Sequence, residues 1–141
     1  MKLKLFLILI AVISGLAVFG YFKAVPGAVD KKNLAKIEIT PQSYDFGEVN
    51  YGTIIKYNFE VKNSGQEILE IKRVGTSCSC TTAKISKETI VPGQVAELQV
   101  SYDTGAMGLA HGKGKQERII YVKSSDPKNP QAQVIIYAFV K

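Results

Sequence analysis

The sequence is poor in the side chains that enzyme catalysis most often uses. Its 141 residues include one histidine and two cysteines, and His111 lies about thirty residues beyond Cys78 and Cys80. A serine or cysteine hydrolase needs a nucleophile with a positioned base. Thioredoxin-type enzymes use a C-x-x-C motif beside a βαβ pattern. Neither arrangement is visible, and neither is a paired acidic motif or a cofactor fingerprint, so we expect a protein that is not an enzyme.

Positive charge is in excess but it is not clustered. The net charge is +6, and once Lys2 and Lys4 are set aside the remaining 16 basic and 12 acidic residues leave +4. No stretch combines clustered basic residues with the interleaved aromatic residues that line a nucleic-acid groove. A dispersed charge of this size is typical of an ordinary soluble surface. We therefore expect no nucleic-acid partner.

A long apolar run marks the N-terminus. Residues 5–22 form an uncharged stretch after a short basic start. As a helix it would span about 27 Å, close to the roughly 30 Å hydrocarbon core of a bilayer, and no good A-x-A cleavage site follows. We predict that residues 1–22 are a membrane anchor, with a cleaved signal peptide as the alternative, and that residues 23–35 are a linker.

The basic start also bears on the orientation of the chain. Lys2 and Lys4 favour a cytoplasmic N-terminus. The sequence therefore predicts a single-pass protein of the cell membrane, with its globular domain on the extracytoplasmic side. If the segment is instead a cleaved signal, the domain is secreted or periplasmic.

Beyond the linker, apolar and polar residues alternate. Tyr57, Phe59 and Val61 alternate with polar neighbours, which places them on one face of a half-buried strand. The predicted strands are 36–40, 44–49, 53–62, 67–74, 83–91, 94–103, 116–124 and 132–140. Seven or eight short strands over residues 36–141 predict an all-β fold, an immunoglobulin-like antiparallel β-sandwich preceded by the N-terminal transmembrane or signal helix. A small closed barrel is the alternative.

The last two predicted strands contain continuous apolar runs. Residues 119–122 and 134–140 lack the alternation of the earlier strands. One interpretation is a central strand pair covered by loops or neighbouring strands. The other is an exposed apolar strip that docks a partner, to which Tyr121, Tyr137 and Phe139 would belong. On the second interpretation, changing Tyr137 or Phe139 to serine weakens partner capture without unfolding the domain.

The two cysteines are one residue apart in the polar segment TSCSCTTA, Thr76 to Ala83. A Cys78–Cys80 disulfide would close so small a ring that chain entropy supplies only about 1.6 kcal/mol, so it would suit loop shaping or electron exchange better than stapling. Two thiolates could instead hold Cu(I) or, with further ligands, Zn(II). A third interpretation is a pair of small structural thiols.

Further soft ligands lie in the glycine-rich segment 104–115. Met107 and His111 are both there, and cysteine, methionine and histidine together suit copper. A copper site would therefore comprise Cys78, Cys80, Met107 and His111. The sequence does not establish whether the two loops meet.

The same glycine-rich segment is also basic. Its G-x-x-x-G-K stretch is one residue short of a P-loop and lacks the strand-to-helix context of one, so we predict a hairpin tip. The alternative is a contact with an anionic membrane surface through Lys113, Lys115 and Arg118.

Four segments, taken in order, resemble a known family: YDFGEVNYG, YNFEVKNSGQEILEIKRVGTSCSCTTA, IVPGQVAELQVSYDT and RIIYVKSSDPKNPQ. The family is the bacterial immunoglobulin-like domain of unknown function fifteen-seventy-three. Its hallmarks fall on Phe46-Gly47, Phe59 to Gly65, Ser77 to Thr82 and Pro92-Gly93. Ser79 stands where the family usually has glycine. The resemblance covers residues 37–140 and implies an exported sandwich related to Hydin-type and major-sperm-protein-type modules, which are binding or scaffolding domains.

Two hypotheses for the function stay open. In the first, the chain is a membrane-tethered interaction or scaffold domain of the cell envelope, with an unknown envelope protein as its partner and no cofactor. In the second, the loop of Cys78 and Cys80 makes it an envelope thiol-redox or copper-binding module.

Overall fold

A computed structural model describes residues 34–141, which lie within a compact unit that spans Lys31–Lys141. The described residues form nine strands and one short helix. These are β1 (Ile37–Thr40), β2 (Ser43–Val49), β3 (Ile54–Asn63), β4 (Leu69–Thr76), β5 (Thr81–Ile85), β6 (Thr89–Ile90), β7 (Val95–Asp103), α1 (Leu109–Gly112), β8 (Gly114–Ser124) and β9 (Gln131–Val140).

The strands build two sheets that pack face to face. One has the order β1-β3-β7-β5 and the other the order β2-β9-β8-β4-β6. The predicted all-β sandwich is therefore confirmed, and the barrel alternative is wrong. Residues 83–91, predicted as one strand, are two: β5 lies in the four-stranded sheet, whereas β6 pairs with β4 in the other. The chain changes sheet between them, which a run of apolar alternation does not reveal.

The sandwich is not wholly antiparallel as predicted. The chain passes from β1 in one sheet to β2 in the other across only Pro41 and Gln42, and β2 then pairs with β9 in parallel. All other strand pairs are antiparallel. The four-residue α1 lies in the connection between β7 and β8, in the segment predicted as a hairpin tip.

The core lies between the sheets and is built from the inward residues of each alternating strand. Phe59 and Leu98 of the four-stranded sheet are fully buried, as are Ile120 and Val134 of the five-stranded sheet. Burying a side chain of this size contributes about 1.5–3 kcal/mol relative to leaving it exposed. Because this core is contained in residues 34–141, we expect the sandwich to fold without the segment that precedes it.

The predicted turn at Pro92-Gly93 is confirmed in its geometry. The Gln94 N–H donates to the Val91 carbonyl over 3.0 Å, and Gly93 has a φ of 77°. A proline followed by a residue of positive φ is the arrangement of a type II turn, and glycine adopts that φ at no steric cost. The turn delivers the chain into β7.

The N-terminal predictions fall outside the described residues. These are the membrane anchor or signal at residues 1–22 and nearly all of the linker at residues 23–35, so both stay predictions. Within residues 34–141, no helix is long and apolar enough to span a bilayer.

Candidate functional site

The loop between β4 and β5 carries both cysteines and connects the two sheets. The Thr76 hydroxyl donates towards the carbonyls of Cys78 and Thr81, over 3.0 and 2.9 Å. The Ser77 backbone N–H donates to the Ile119 carbonyl over 2.9 Å. These bonds fix the loop at both ends. No non-glycine residue among those described has a positive φ, so the loop does not need glycine at Ser79, where the family usually has it.

The sulfur atoms of Cys78 and Cys80 are in direct contact, and the Cα atoms are 5.3 Å apart. That separation is within the range that disulfides span. The two sulfurs have different surroundings. Cys80 is buried, with 3% of its surface exposed, whereas Cys78 is half-buried. The Cys80 N–H donates to the Cys78 sulfur over 3.1 Å, and the Thr81 hydroxyl lies 3.6 Å from the sulfur of Cys80.

A guanidinium group contacts the buried sulfur. The Nε–H of Arg118, on β8, donates to Cys80 Sγ over 3.0 Å. Its Nη2 donates to the Tyr102 hydroxyl over 3.3 Å and to Gln116 Oε1 over 2.5 Å. The guanidinium carbon lies 5.0 Å from the centre of the Tyr102 ring, within the range of cation–π attraction. We call Cys80, Tyr102, Gln116 and Arg118 the Arg118 cluster.

The Arg118 cluster lies at one end of the core, between the sheets. Tyr102 comes from β7 in the four-stranded sheet, and Gln116 and Arg118 come from the inward face of β8. Of the ion pairs among residues 34–141, Lys36 with Glu38 and Lys141 with Glu48, neither involves Arg118. The half-buried charge of Arg118 is therefore met by neutral acceptors, the Tyr102 ring and a sulfur.

The Arg118 cluster shifts the pKa of the Tyr102 phenol. Burial raises its pKa above the ordinary value of 10.0, while the charge of Arg118 and its hydrogen bond act in the opposite direction. Burial prevails because only 1% of the side chain is exposed, and low-dielectric surroundings disfavour the phenolate.

This raised pKa predicts a loss of stability at alkaline pH. The stability that neutral Tyr102 supports is fully present below pH 10.0, the ordinary pKa, and is lost as the pH rises through the higher pKa of the folded protein. We expect the melting temperature of the wild type to fall more steeply above pH 10 than that of the Tyr102→Phe variant. Thermal unfolding followed by circular dichroism across that pH range measures this. Parallel curves would show that another group governs the alkaline transition.

The loop of Met107 and His111 lies at the same end of the sandwich as the cysteines. The Asp103 N–H, one residue before this loop, donates to the Cys80 carbonyl over 2.9 Å. His111 and Met107 are exposed, and neither is a hydrogen-bond partner of the described cysteine sulfurs. In the part of the chain that is described, no three His, Cys, Asp or Glu side chains are grouped to hold a metal. The four-residue copper site stays a prediction from the sequence.

The three basic residues proposed to contact a membrane do not all lie on one surface. Lys115 is opposite Phe139 on the outer face of β8, whereas Arg118, three residues further, points inward to Cys80. Residues an odd number apart in a strand lie on opposite faces. The prediction of a Lys113, Lys115 and Arg118 patch is therefore wrong in its geometry.

A second feature is the outer face of the five-stranded sheet, where the predicted apolar strip lies. Tyr121, on β8, shares this face with Tyr137 and Phe139, on β9. Ile119 and Ile135 are paired between them. We call these five residues the outer strip. Tyr137 is 36% exposed and Phe139 is 43% exposed, and Ile119, Tyr121 and Ile135 are half-buried. Neighbouring loops and strands therefore leave Tyr137 and Phe139 exposed and cover the other three side chains only in part.

The two ends of the outer strip differ in charge. At one end, Asp45 and Glu117 flank Tyr137, and Glu48 and Lys115 flank Phe139, so acidic residues outnumber basic ones there. At the other end, Lys123 pairs with Arg73 next to Tyr121. Shallow depressions lie at both ends, one lined by Asp45, Tyr137 and Phe139 and the other by Arg73, Tyr121 and Lys123.

A glycine keeps the second depression open. Gly75 is directly opposite Tyr121, and a Cβ placed there would meet no atom within 4 Å. A larger residue at this position would therefore narrow this depression.

Sequence comparison assigns the described domain to a family. Residues 37–140 match the family described as "Protein of unknown function (DUF1573)". No protein among the curated ones compared with the chain matches it.

Solved structures resemble this fold. A protein of unknown function from Porphyromonas gingivalis W83 has a TM-score of 0.69 and 23% identity, with 82% of this chain and 51% of that chain covered. This chain therefore spans about half the length of that protein. The Vibrio cholerae VesB protease has a TM-score of 0.59 and 14% identity, with 73% of this chain and 31% of that chain covered. The ASH/PapD-like domain 7 of human CEP192 has a TM-score of 0.56 and 11% identity, with 77% of this chain and 87% of that chain covered. At these identities the likeness shows the sandwich fold alone.

Proposed function

Because the chain belongs to the family described as "Protein of unknown function (DUF1573)", whose description states no activity, we propose a function from the protein's own surfaces. The protein is an interaction module of the cell envelope. It is held at the membrane by residues 5–22 and docks its partner through the outer strip. The exposure of Tyr137 and Phe139, side by side with three further apolar residues, is the observation that carries this proposal.

Exposed apolar side chains are common singly, but a contiguous group is characteristic of interaction sites. The outer strip is contiguous because Ile119 and Ile135 are paired directly and Tyr137 and Phe139 follow on the same face. Tyrosine and phenylalanine are enriched in the cores of protein interfaces, and charged residues surround them at the rim. Asp45 and Glu117 at one end and Lys123 at the other reproduce that arrangement.

The partner that this face fits is a second copy of the chain. A two-fold axis that lies in the interface and crosses β8 at right angles between Ile119 and Tyr121 would reverse the strip end for end. Glu117 of one copy then faces Lys123 of the other, and the same contact repeats on the other side of the axis. Such self-complementarity is what an isologous dimer requires, and opposite charges across the rim fix the register.

The proposal predicts concentration-dependent dimerisation of residues 31–141. We expect sedimentation velocity to show a monomer–dimer equilibrium between micromolar and millimolar concentrations. Tyr121, which faces Ile119 of the second copy in this arrangement, is the apolar residue to change: Tyr121→Ser and Gly75→Gln should each raise the dissociation constant at least about tenfold, the equivalent of about 1.4 kcal/mol. Gly75→Gln is the sharper variant, because it adds a side chain directly opposite Tyr121 and leaves every apolar residue in place. Asn58→Gln, on the exposed face of β3 in the other sheet, is the matched control.

A charge exchange tests the identity of the partner. Glu117→Lys should weaken dimerisation several-fold at low salt, and adding Lys123→Glu in the same chain should restore it, because the two charges meet only in a two-fold arrangement of identical chains. A protein that stays monomeric at every concentration, or a double variant weaker than both single variants, would contradict docking of a second copy.

A further inference from the structure

The contact between Arg118 and Cys80 has no role in the docking surface. Arg118 points inward, away from the outer strip, and its Nε–H donates to Cys80 Sγ over 3.0 Å. Among the ion pairs of residues 34–141, none includes Arg118. A sulfur in a disulfide is a weak hydrogen-bond acceptor, whereas a thiolate is an anion that a guanidinium stabilises strongly. The cation is therefore better matched to the reduced state of Cys80 than to the oxidised one.

The two sulfurs differ in access as well as in charge environment. Cys78 is half-buried and is flanked by the exposed residues Ser77 and Ser79, so it is the more accessible cysteine of the pair. Cys80 is 3% exposed and is approached from within by Arg118. Among the described residues, the polar groups near the Cys78 sulfur are neutral, namely the Cys80 backbone N–H at 3.1 Å and the Thr81 hydroxyl at 3.8 Å. A charged donor stabilises a thiolate more than a neutral one does.

We infer that Cys78 and Cys80 form a thiol–disulfide exchange site, in which Cys78 is the sulfur attacked and Cys80 is the leaving thiolate that Arg118 holds. The reductant is a dithiol of a partner protein or of small-molecule size. A bond across a sequence separation of two residues closes so small a ring that it adds little stability to the fold by restricting the unfolded chain. The pair is suited to exchange rather than to stapling.

The thiol–disulfide exchange takes place in two steps. A thiolate of the dithiol attacks Cys78 Sγ; the Cys78–Cys80 bond breaks, and its electron pair leaves on Cys80, beside Arg118. The second thiolate of the dithiol then attacks its own sulfur in the mixed disulfide, which releases Cys78 as a thiolate that takes a proton from water. The dithiol loses two electrons and becomes a disulfide, and the protein gains those two electrons. A better-stabilised leaving thiolate makes the first step faster.

Arg118 is thus a positioning residue, and its removal should slow reduction. With dithiothreitol as the dithiol at pH 7, we expect residues 31–141 carrying Arg118→Gln to be reduced about tenfold more slowly than the wild type, the effect of losing one charged hydrogen bond to the leaving sulfur. Quenched alkylation followed by mass measurement gives the rate. Lys115→Gln removes the same charge from the opposite face of β8 and should leave the rate unchanged.

A second readout separates this role from a merely structural one. In the reduced protein, the thiolate absorbance at 240 nm against pH should show one thiol ionising at lower pH in the wild type than in Arg118→Gln, by about one pH unit for a tenfold stabilisation. Arg118→Lys, which keeps the charge, should recover part of that shift. Cys80→Ser identifies the thiol, because it should abolish the low-pH ionisation while Cys78→Ser retains it.

Several results would overturn the inference. One is equal reduction rates and thiolate titrations for wild type and Arg118→Gln, with both folded by circular dichroism. Another is two alkyl adducts on the protein as isolated under oxidising conditions, which would mean that no bond joins the sulfurs. Neither result bears on dimerisation through the outer strip, so the two proposals stand or fall separately.

Discussion

The Asn63→Ala variant should lose about 3–5 kcal/mol of unfolding free energy, because Asn63 joins four backbone groups inside the protein. Its side chain is fully buried. The amide nitrogen donates to the carbonyls of Glu67 and Ile90, both over 2.8 Å, and the amide oxygen accepts from the N–H of Gly65 over 3.0 Å and of Lys36 over 3.4 Å. Alanine would leave these groups without partners, and each buried unpaired group costs about 1–3 kcal/mol.

The positions of these partners show that losing the Asn63 side chain should affect both sheets at once. Asn63 ends β3 in the four-stranded sheet, and Ile90 belongs to β6 in the five-stranded sheet. One side chain therefore ties the two sheets together at the end away from the cysteines. Urea unfolding of the variant measures the effect, with Asn58→Ala as the control, because Asn58 is exposed on the same strand. A loss below about 1 kcal/mol would show that water or neighbouring groups replace the four bonds.

The Gly65→Ala variant should lose at least about 2 kcal/mol, since overpacking alone typically costs 1–3 kcal/mol. An alanine Cβ at this position would overlap the carbonyl oxygen of Leu34 and come within 2.6 Å of the Lys36 backbone nitrogen. These are main-chain atoms, so relief requires the backbone to move. The same segment accepts the Gln66 N–H at Leu34 O and the Ser64 N–H at Lys36 O, and its displacement would also break those bonds.

Gly75→Ala is the matched control for this substitution. Gly75 is a glycine near the end of β4, and its new Cβ would meet nothing within 4 Å. It should be neutral or slightly stabilising, because alanine loses less backbone entropy on folding than glycine does. Comparable losses for the two alanine variants in urea unfolding would mean that backbone entropy, and not the clash with Leu34, sets the cost at Gly65.

The sequence predicts the architecture well because burial in a sandwich follows a period of two. The alternation of Tyr57, Phe59 and Val61 places them on the core face of β3, as the structure confirms. The parallel pairing of β2 with β9 was not predictable in this way, because alternation is the same for either strand direction. The split of residues 83–91 was missed for a related reason: β6 is only two residues long, too short for a periodic signal.

The sequence predicts the outer strip but not the Arg118 cluster. The outer strip was visible as continuous apolar residues in the last two strands, although exposure and burial could not be told apart until the pairing partners were known. The sequence predicts Arg118 to be a surface cation, whereas in the structure it points inward to Cys80. The sequence nevertheless contains a signal for its inward position. Arg118 is two and four residues from Ile120 and Val122, so all three side chains lie on the same, inward face of β8. A charged residue at an inward position needs a buried partner, and the sequence alone does not identify Cys80 as that partner.

A dilution series followed by backbone amide NMR shows whether the outer strip is the docking face. On lowering the concentration of residues 31–141, we expect the amide signals of residues 117–123 and 133–139 to shift in a saturable manner, and those of residues 56–62, on the other sheet, to stay in place. Shifts confined to the four-stranded sheet, or no shifts at any concentration, would contradict docking through the outer strip.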